Sequence, residues 1–331
     1  MIRIFLLGAF INISISGYSQ QLQGIVLDEN TSQPLINVSV FFNGTTVGTK
    51  TNSDGKFQIN IPDNQKFPLA VSAIGYNSIM LKEYPIGIII KILLVPKIYE
   101  LNEVIISSKR SWRERSIRNQ YLDTFKKQFL GETVNAYTCK ILNESALVFS
   151  YFDKRNLLTA YSTRPLEISN KALGYNIIFY LDDFKYSLYP YSMTYIGYYI
   201  FTEDSTLSEK AQVRAEKRRR LAYLGSRMHF LRSLWDNELD SAGFTVKDSR
   251  NIIIQYDSLV YTRNPSEKYL LQNVNYSVSF ISKVPRSVVE LTSDTVYFNK
   301  LGYFDPFGIK WTGEMGKQRV ADLLPYDFKL K

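Results

Sequence analysis

Between residues 22 and 95, apolar and polar positions alternate in short runs broken by turn residues. Leu22, Gly24 and Val26 share one side of the first run, and Asp28-Glu29-Asn30 ends it. Val38, Val40 and Phe42 repeat the two-residue period. So do Phe57, Ile59 and Ile61, and then Leu69, Val71 and Ala73, before the break at Gly75-Tyr76. A period of two puts alternate side chains on one face of a strand. Asn43-Gly44 predicts a tight hairpin turn with positive φ at both central residues, and Asn52-Ser53-Asp54-Gly55 predicts a second turn. The stretch 86–95 sets Ile88, Ile90, Ile92 and Leu94 on one face, with Lys91 interrupting the other. It is too short to span a bilayer as a helix and predicts a buried strand. Short strands at regular spacing predict a β-sandwich or barrel.

The period then changes. Ser111-Trp112-Arg113-Glu114 is a capping box, in which Ser accepts from an early helical N–H and Glu reaches back. Tyr121, Leu122, Phe125 and Phe129 share a helical face, and Gly131 suits the position after the last turn. This predicts a linker helix near 112–130 that docks the sandwich onto the second domain. Strands return over 137–201, with 146–152 and 157–163 as a hairpin around Lys154-Arg155-Asn156. Aromatic residues crowd 175–201 in partial alternation, such as Tyr189 with Tyr191 and Phe184 with Tyr186. Sheet packing is preferred here over a sugar-stacking or membrane-interface surface.

Thr206-Leu207-Ser208-Glu209 is a second capping box. The helix it opens carries Lys210, Arg214, Lys217 and Arg218 on one side, with Arg219 and Arg220 close by. Leu207, Ala211, Ala215 and Ala222 lie on the other side, which packs down. After Gly225-Ser226, residues Met228, Leu231, Leu234, Trp235 and Leu239 form the apolar face of another helix. Residues 244–328 return to strands, including 276–281, 287–291 and 309–312.

Within the first region, Gly24-Ile25-Val26-Leu27-Asp28, Gln33-Pro34-Leu35, Asn37-Val38, Gly44-Thr45, Gly48-Thr49, the run from Thr51 through Asp54-Gly55-Lys56-Phe57, and Ser72-Ala73-Ile74-Gly75-Tyr76 occur in a fixed order. Leu101-Asn102-Glu103-Val104 comes after them. In order and spacing they resemble the carboxypeptidase regulatory-like domain, over about a quarter of the chain. Ile36 stands where the family usually has Ala. The resemblance implies a transthyretin-like β-sandwich, of the kind that heads many TonB-dependent outer-membrane receptors and other envelope proteins of Gram-negative bacteria. It does not imply carboxypeptidase catalysis. Segments at 170–175, 225–232 and 319–325 resemble those of other envelope proteins with this N-terminal domain, with no activity implied.

Composition adds compartment and limits chemistry. Arg3, an apolar stretch over 4–15 and the small residues Gly17 and Ser19 read as a secretory signal cleaved before Gln20. No Cys stands directly after that stretch, so a lipid anchor at a new N-terminus is not indicated. Cys139 is the single cysteine, so no internal disulfide forms and the fold rests on its core. The net charge of +9 favours anionic lipid or acidic polysaccharide over nucleic acid as the partner of an exported protein, and a soluble surface with excess Lys, without any such partner, is the commoner reading.

The single histidine, His229, excludes a zinc-peptidase ligand set and is expected at the surface or in a second contact. Gly225-Ser226 and His229 lie about one helical turn apart on one segment, a spacing that does not establish a triad. Asp182 and Asp183 are neighbours on a strand and face opposite sides. Asn52-x-Asp54-Gly55 lacks the further carboxylates of a calcium loop and is a structural turn.

The expected class is therefore mainly β. A signal peptide (1–19) is followed by a β-sandwich (20–107), a linker helix (108–131) and a β-rich α+β domain with two inserted helices (132–331). The expected protein is a non-catalytic binding or scaffold protein of the periplasm or outer membrane, without cofactor or metal. Its candidate partner is an envelope protein or an anionic glycan or lipid surface, met by Lys210, Arg214, Lys217 and Arg218, against the commoner alternative that this stripe is a solvated helix face. The alternatives are a carboxylate-dependent hydrolase of envelope glycan and a small outer-membrane β-barrel.

Overall fold

The computed structural model describes residues 20–97, 112–189, 191–272, 275–281 and 286–330. The expected signal, the motif at 101–104 and the capping residue Ser111 lie outside them. The protein is mainly β, and the strands of the described residues are divided among five sheets.

The first seven strands are β1 (Gln21–Asp28), β2 (Ser39–Phe42), β3 (Gly48–Lys50), β4 (Lys56–Asn60), β5 (Leu69–Ser72), β6 (Ile79–Leu81) and β7 (Ile89–Leu94). They form two sheets, ordered β4-β1-β7 and β3-β2-β5-β6. The predicted inward positions form the core between them: Leu22 and Val26, Val40 and Phe42, Phe57 and Ile59, Leu69 and Val71, Ile90 and Ile92. Each such side chain, fully buried, contributes about 1.5–3 kcal/mol. Gly24 is required at its place, because a Cβ there would lie 2.5 Å from the Phe57 ring.

Side chains close the turns of the sandwich. The Asp28 carboxylate accepts the N–H groups of Asn30 (2.8 Å) and Thr31 (2.7 Å) and the Tyr76 hydroxyl (2.8 Å). Those bonds hold its pKa below the usual carboxylate value. Thr51 Oγ1 accepts from Val38 N–H and donates to the Leu35 carbonyl. Asn52 Oδ1 accepts from the N–H groups of Asp54 and Lys56. The oxygen a calcium ion would need is thus engaged with backbone. Asn43-Gly44 departs from expectation. Only Gly44 has positive φ, and a longer turn over 43–47 replaces the tight one. The reason is tertiary: Gly44 N–H donates to Tyr199 O, its carbonyl accepts Tyr326 N–H, and Asn43 Oδ1 accepts Tyr199 N–H.

Helix α1 (Trp112–Leu130) opens the second region. Strands β8 (Cys139–Ile141), β9 (Leu147–Phe152), β10 (Leu157–Ser162), β11 (Leu166–Asn170), β12 (Tyr175–Ser187) and β13 (Ser192–Glu203) form a six-stranded antiparallel sheet. The expected hairpin is there, with Leu157 opposite Phe152. Along one edge β12 pairs β13. Along the other it pairs first β11 and then β10, and a bulge separates Leu181 from Asp183. The sheet order is branched at β12, with β8, β9 and β13 at the edges and no pairing among those three in the described residues.

The aromatic residues of β12 and β13 are core: Tyr175, Phe179, Phe184 and Phe201 are buried. The buried face of α1 packs on this sheet. Phe125 meets Phe184 at 4.8 Å and Phe129 meets Phe179 at 5.0 Å, both edge to face. The helix expected to dock the sandwich thus belongs to the core of the second region. Its apolar stripe was legible, but a stripe does not name its partner.

Two helices come next, α2 (Glu209–Tyr223) and α3 (Arg227–Trp235). Then come β14 (Phe244–Lys247), α4 (Tyr256–Leu259), β15 (Val260–Asn264), β16 (Glu267–Leu271), β17 (Tyr276–Phe280), β18 (Ser287–Leu291), β19 (Thr295–Phe298), β20 (Ile309–Thr312) and α5 (Gly313–Lys317). These strands make two small sheets, β14-β17-β18-β20 and β15-β16-β19. Phe230, Leu231, Leu234 and Trp235 of α3 pack among them as a separate core. The β-rich region after α1 is therefore built round two cores.

The final segment, 319–330, straps the molecule together. Val320, Ala321 and Leu324 enter the core beneath α1, and Asn170 donates to Ala321 O. Arg232 donates to the carbonyls of Tyr326 and Phe328. Asp327 accepts Thr46 N–H at 2.9 Å, across a sequence separation of 281 residues. The sandwich also stacks Phe41 on Tyr180 (5.4 Å) and packs Phe67 against Tyr303 and Tyr326.

Candidate anion-binding site

Helix α2 begins at Glu209, with Ser208 as N-cap but without a side-chain cap bond. The capping box read at 206–209 does not form. The hydroxyl and N–H of Thr206 are both engaged by Asp204, which also takes the ammonium of Lys171. These bonds depress the Asp204 pKa. The alanine side of the helix packs down as expected: Ala215 is buried, and Leu207, Ala211 and Ala222 are half-buried. Gly174 makes this approach feasible. It has φ +66°, and a Cβ on it would stand 3.1 Å from that of Ala215.

Arg219 locks the helix to the sheet. Its guanidinium lies 4.0 Å from the centre of the Tyr175 ring. It donates to Leu173 O (2.7 Å), Gly174 O (3.2 Å) and Glu203 Oε1 (3.0 Å). Burial raises the Tyr175 hydroxyl to about 12.

The four residues expected to meet an anion divide. Lys210, Arg214 and Lys217 are exposed, on one face. Arg218 turns inward and donates to Asn135 Oδ1 at 3.4 Å. Asn135 in turn donates to Asp322 Oδ1 at 2.9 Å, as does Thr133 at 2.8 Å. Arg218 sits about a fifth of a turn beyond the outward line, because successive residues rotate by about 100°. Arg220, outside the expected four, replaces it. Together with Lys217 it edges a cleft of about 510 Å³ between α2, the β2–β3 turn and the strap. Tyr175, Glu203 and Arg219 also line the cleft, with Thr46 at the sandwich side and Asp327, Phe328 and Lys329 on the strap. The three-residue step from Lys217 to Arg220 was the available sequence signal. The cleft itself was not readable, because its walls come from segments far apart in the chain.

The groups that drew attention as chemistry have backbone partners. Ser226 Oγ accepts His229 N–H and caps α3. His229 Nδ1 accepts Gly225 N–H. The imidazole is half-buried among Tyr223, Phe244 and Phe280, rather than at the surface. Desolvation, with the nearby Arg232 charge, lowers its pKa to about 4. Burial pushes the Cys139 thiol up to about 12.

Residues 22–106 match the CarboxypepD_reg-like domain model. The N-terminal sandwich is thus of that type, as its turn motifs implied. A stretch of 105 residues is 35% identical to the TonB-dependent receptor SusC of Bacteroides thetaiotaomicron. The match covers 31% of this chain and 10% of the receptor, so the chain spans about a tenth of that relative's length. Among solved structures, a 9R-lipoxygenase from Cyanothece PCC8801 is similar at 11% identity, over 66% of this chain and 48% of that one. Its TM-score of 0.17 is too low to carry an argument about fold.

Proposed function

We propose that this is a non-catalytic binding protein of the cell envelope that holds an anionic partner along α2. The observation that carries the reading is the exposed row Lys210, Arg214 and Lys217. These cations have no ion pair or hydrogen bond among the described residues, on a helix whose opposite side is locked down. Lys210 lies in the first turn of α2, where the helix dipole disfavours a cation, so helix stability does not account for it. The envelope location is supported by the likeness of the N-terminal region to a TonB-dependent receptor. The non-catalytic reading is supported by Ser226 and His229, whose polar atoms serve the backbone.

The test is co-sedimentation of the full chain with anionic envelope material and with anionic vesicles as salt is raised. Association should fall steeply, because the screening length drops from about 10 Å at 0.1 M to about 3 Å at 1 M. The triple variant K210Q/R214Q/K217Q should lose association and keep its thermal midpoint, since surface changes usually shift stability by no more than about 0.5 kcal/mol. Salt-independent association, or full retention by the triple variant, overturns the reading.

A further inference from the structure

Three cations of α2 face outward, and a fourth, Arg220, lies about a quarter of a turn to one side, where the row curves towards a pocket. Lys210, Arg214, Lys217 and Arg220 succeed one another at steps of four, three and three residues, about 4.5–6 Å apart along the helix axis. Lys217 and Arg220 then edge the cleft, with Lys329 on the facing strap. A volume of about 510 Å³ falls within the range of small-ligand sites, roughly 300–1,000 Å³.

We infer that α2 and the cleft together bind the end of a linear acidic polysaccharide with one negative charge per sugar ring, its terminal ring seated in the cleft. This rests on the reading of α2 as an anion-binding face and names the chemistry of its partner. The first argument is geometric. A row of single cations one sugar ring apart matches a chain bearing one carboxylate per ring. A bilayer presents charge over a plane and has no end to place in a pocket.

The second argument is the lining. Three carboxylates stand beside the cations: Glu203, which holds Arg219; Glu216; and Asp327, which accepts the N–H and hydroxyl of Thr46. A site for a bare phosphate is built from donors. An acidic sugar brings both a charge that needs cations and hydroxyls that need acceptors, and this mixture serves both. Phe328 supplies an apolar face for the ring's C–H groups. The third argument is that Arg219, the most deeply held cation, is already paired with Glu203 and two carbonyls. The cleft therefore has a fixed floor and leaves Lys217 and Arg220, which have no ion pair among the described residues, to the ligand, while Lys329 is shared with Asp63 at 3.7 Å.

The experiment is calorimetric titration of the full chain with galacturonate oligomers of one to six rings. A neutral glucan of equal length, polyphosphate and anionic vesicles are run beside them. Affinity should rise with each ring to about four, the number of cations in the row, and then level. The neutral oligomer should bind at least about tenfold more weakly. R220Q and K329Q should weaken the shortest oligomers most, whereas K210Q should weaken only the longer ones.

If polyphosphate or vesicles bind and the galacturonates do not, the polysaccharide inference is overturned while the anionic reading of α2 stands. If none of the anions binds, both fall. A length series that never levels, or R220Q indistinguishable from the parent chain on short oligomers, overturns the seating of the terminal ring.

Discussion

The sandwich and the six-stranded sheet are both largely antiparallel β structures, the first with a mainly aliphatic core and the second with one rich in aromatic rings, and they are held in different ways. In the sandwich, side chains close turns within their own few residues: Asp28 binds Asn30 and Thr31, and Asn52 binds Asp54 and Lys56. In the sheet, the ties are distant. Phe129 of α1 meets Phe179, Asn170 reaches Ala321, and Arg319 donates to Gln128 O. A region organised locally announces itself in sequence, and one organised by remote contacts does not.

Four changes test this contrast. The largest effect is expected from Phe129→Ala, which empties a fully buried ring site beneath α1. It should cost about 3–5 kcal/mol. Hydrogen exchange resolved along the chain in rising denaturant, with Trp112, Trp235 and Trp311 reporting the second region by fluorescence, should show that region opening at lower denaturant while the sandwich amides move less. Equal shifts in both would mean that the two regions unfold as one unit.

Acid should also strike the second region first. The His229 pKa is lowered from 6.5 to about 4 in the folded chain, so the unfolded chain binds the proton more readily. The stabilisation is complete above pH 6.5 and is lost as pH falls towards 4, up to about 2–3 kcal/mol. Asp322 acts in the opposite sense, because burial raises its carboxyl pKa and acid relieves that cost. His229→Gln isolates the imidazole. Its thermal midpoint should vary less between pH 6.5 and 4 than that of the parent chain, and an unchanged slope would refute the assignment.

Much of the sandwich was legible because strand period and turn chemistry act over a few residues. The alternation at Phe57, Ile59 and Ile61 matches their burial. The faces of α1 and α2 were legible for the same reason. What each face meets was not, since α1 covers the sheet rather than the sandwich. In the candidate site, Lys210, Arg214 and Lys217 point out as expected, while Arg218 is drawn inward by Asn135, a residue remote in sequence. The tip at 43–47 misled because its hydrogen bonds go to Tyr199 and Tyr326.

Smaller changes sharpen the boundary between the two regions. A Cβ at Gly48 would collide with Ile200 Cδ1, so Gly48→Ala presses on the junction while leaving the core of either region intact. It should cost about 1–2 kcal/mol, read as faster protease cleavage near the junction. Asn52→Ala removes an acceptor for two turn N–H groups and should cost about 1 kcal/mol, confined to the sandwich. Hydrogen exchange that rises in the six-stranded sheet would contradict that confinement.

The bond between Thr46 and Asp327 spans 281 residues, and its closure sets an order of events. Local turns and hairpins form early, whereas a contact of such separation must wait until both partners sit on folded scaffolds. Closure of the junction is therefore expected to follow the folding of the scaffolds on either side of it. The cleft takes its walls from the sandwich turn, α2 and the strap, so it exists only while the junction is closed. Whatever occupies it must hold the sandwich to the rest by mass action, and ligand concentration becomes a control on how long the two halves stay together.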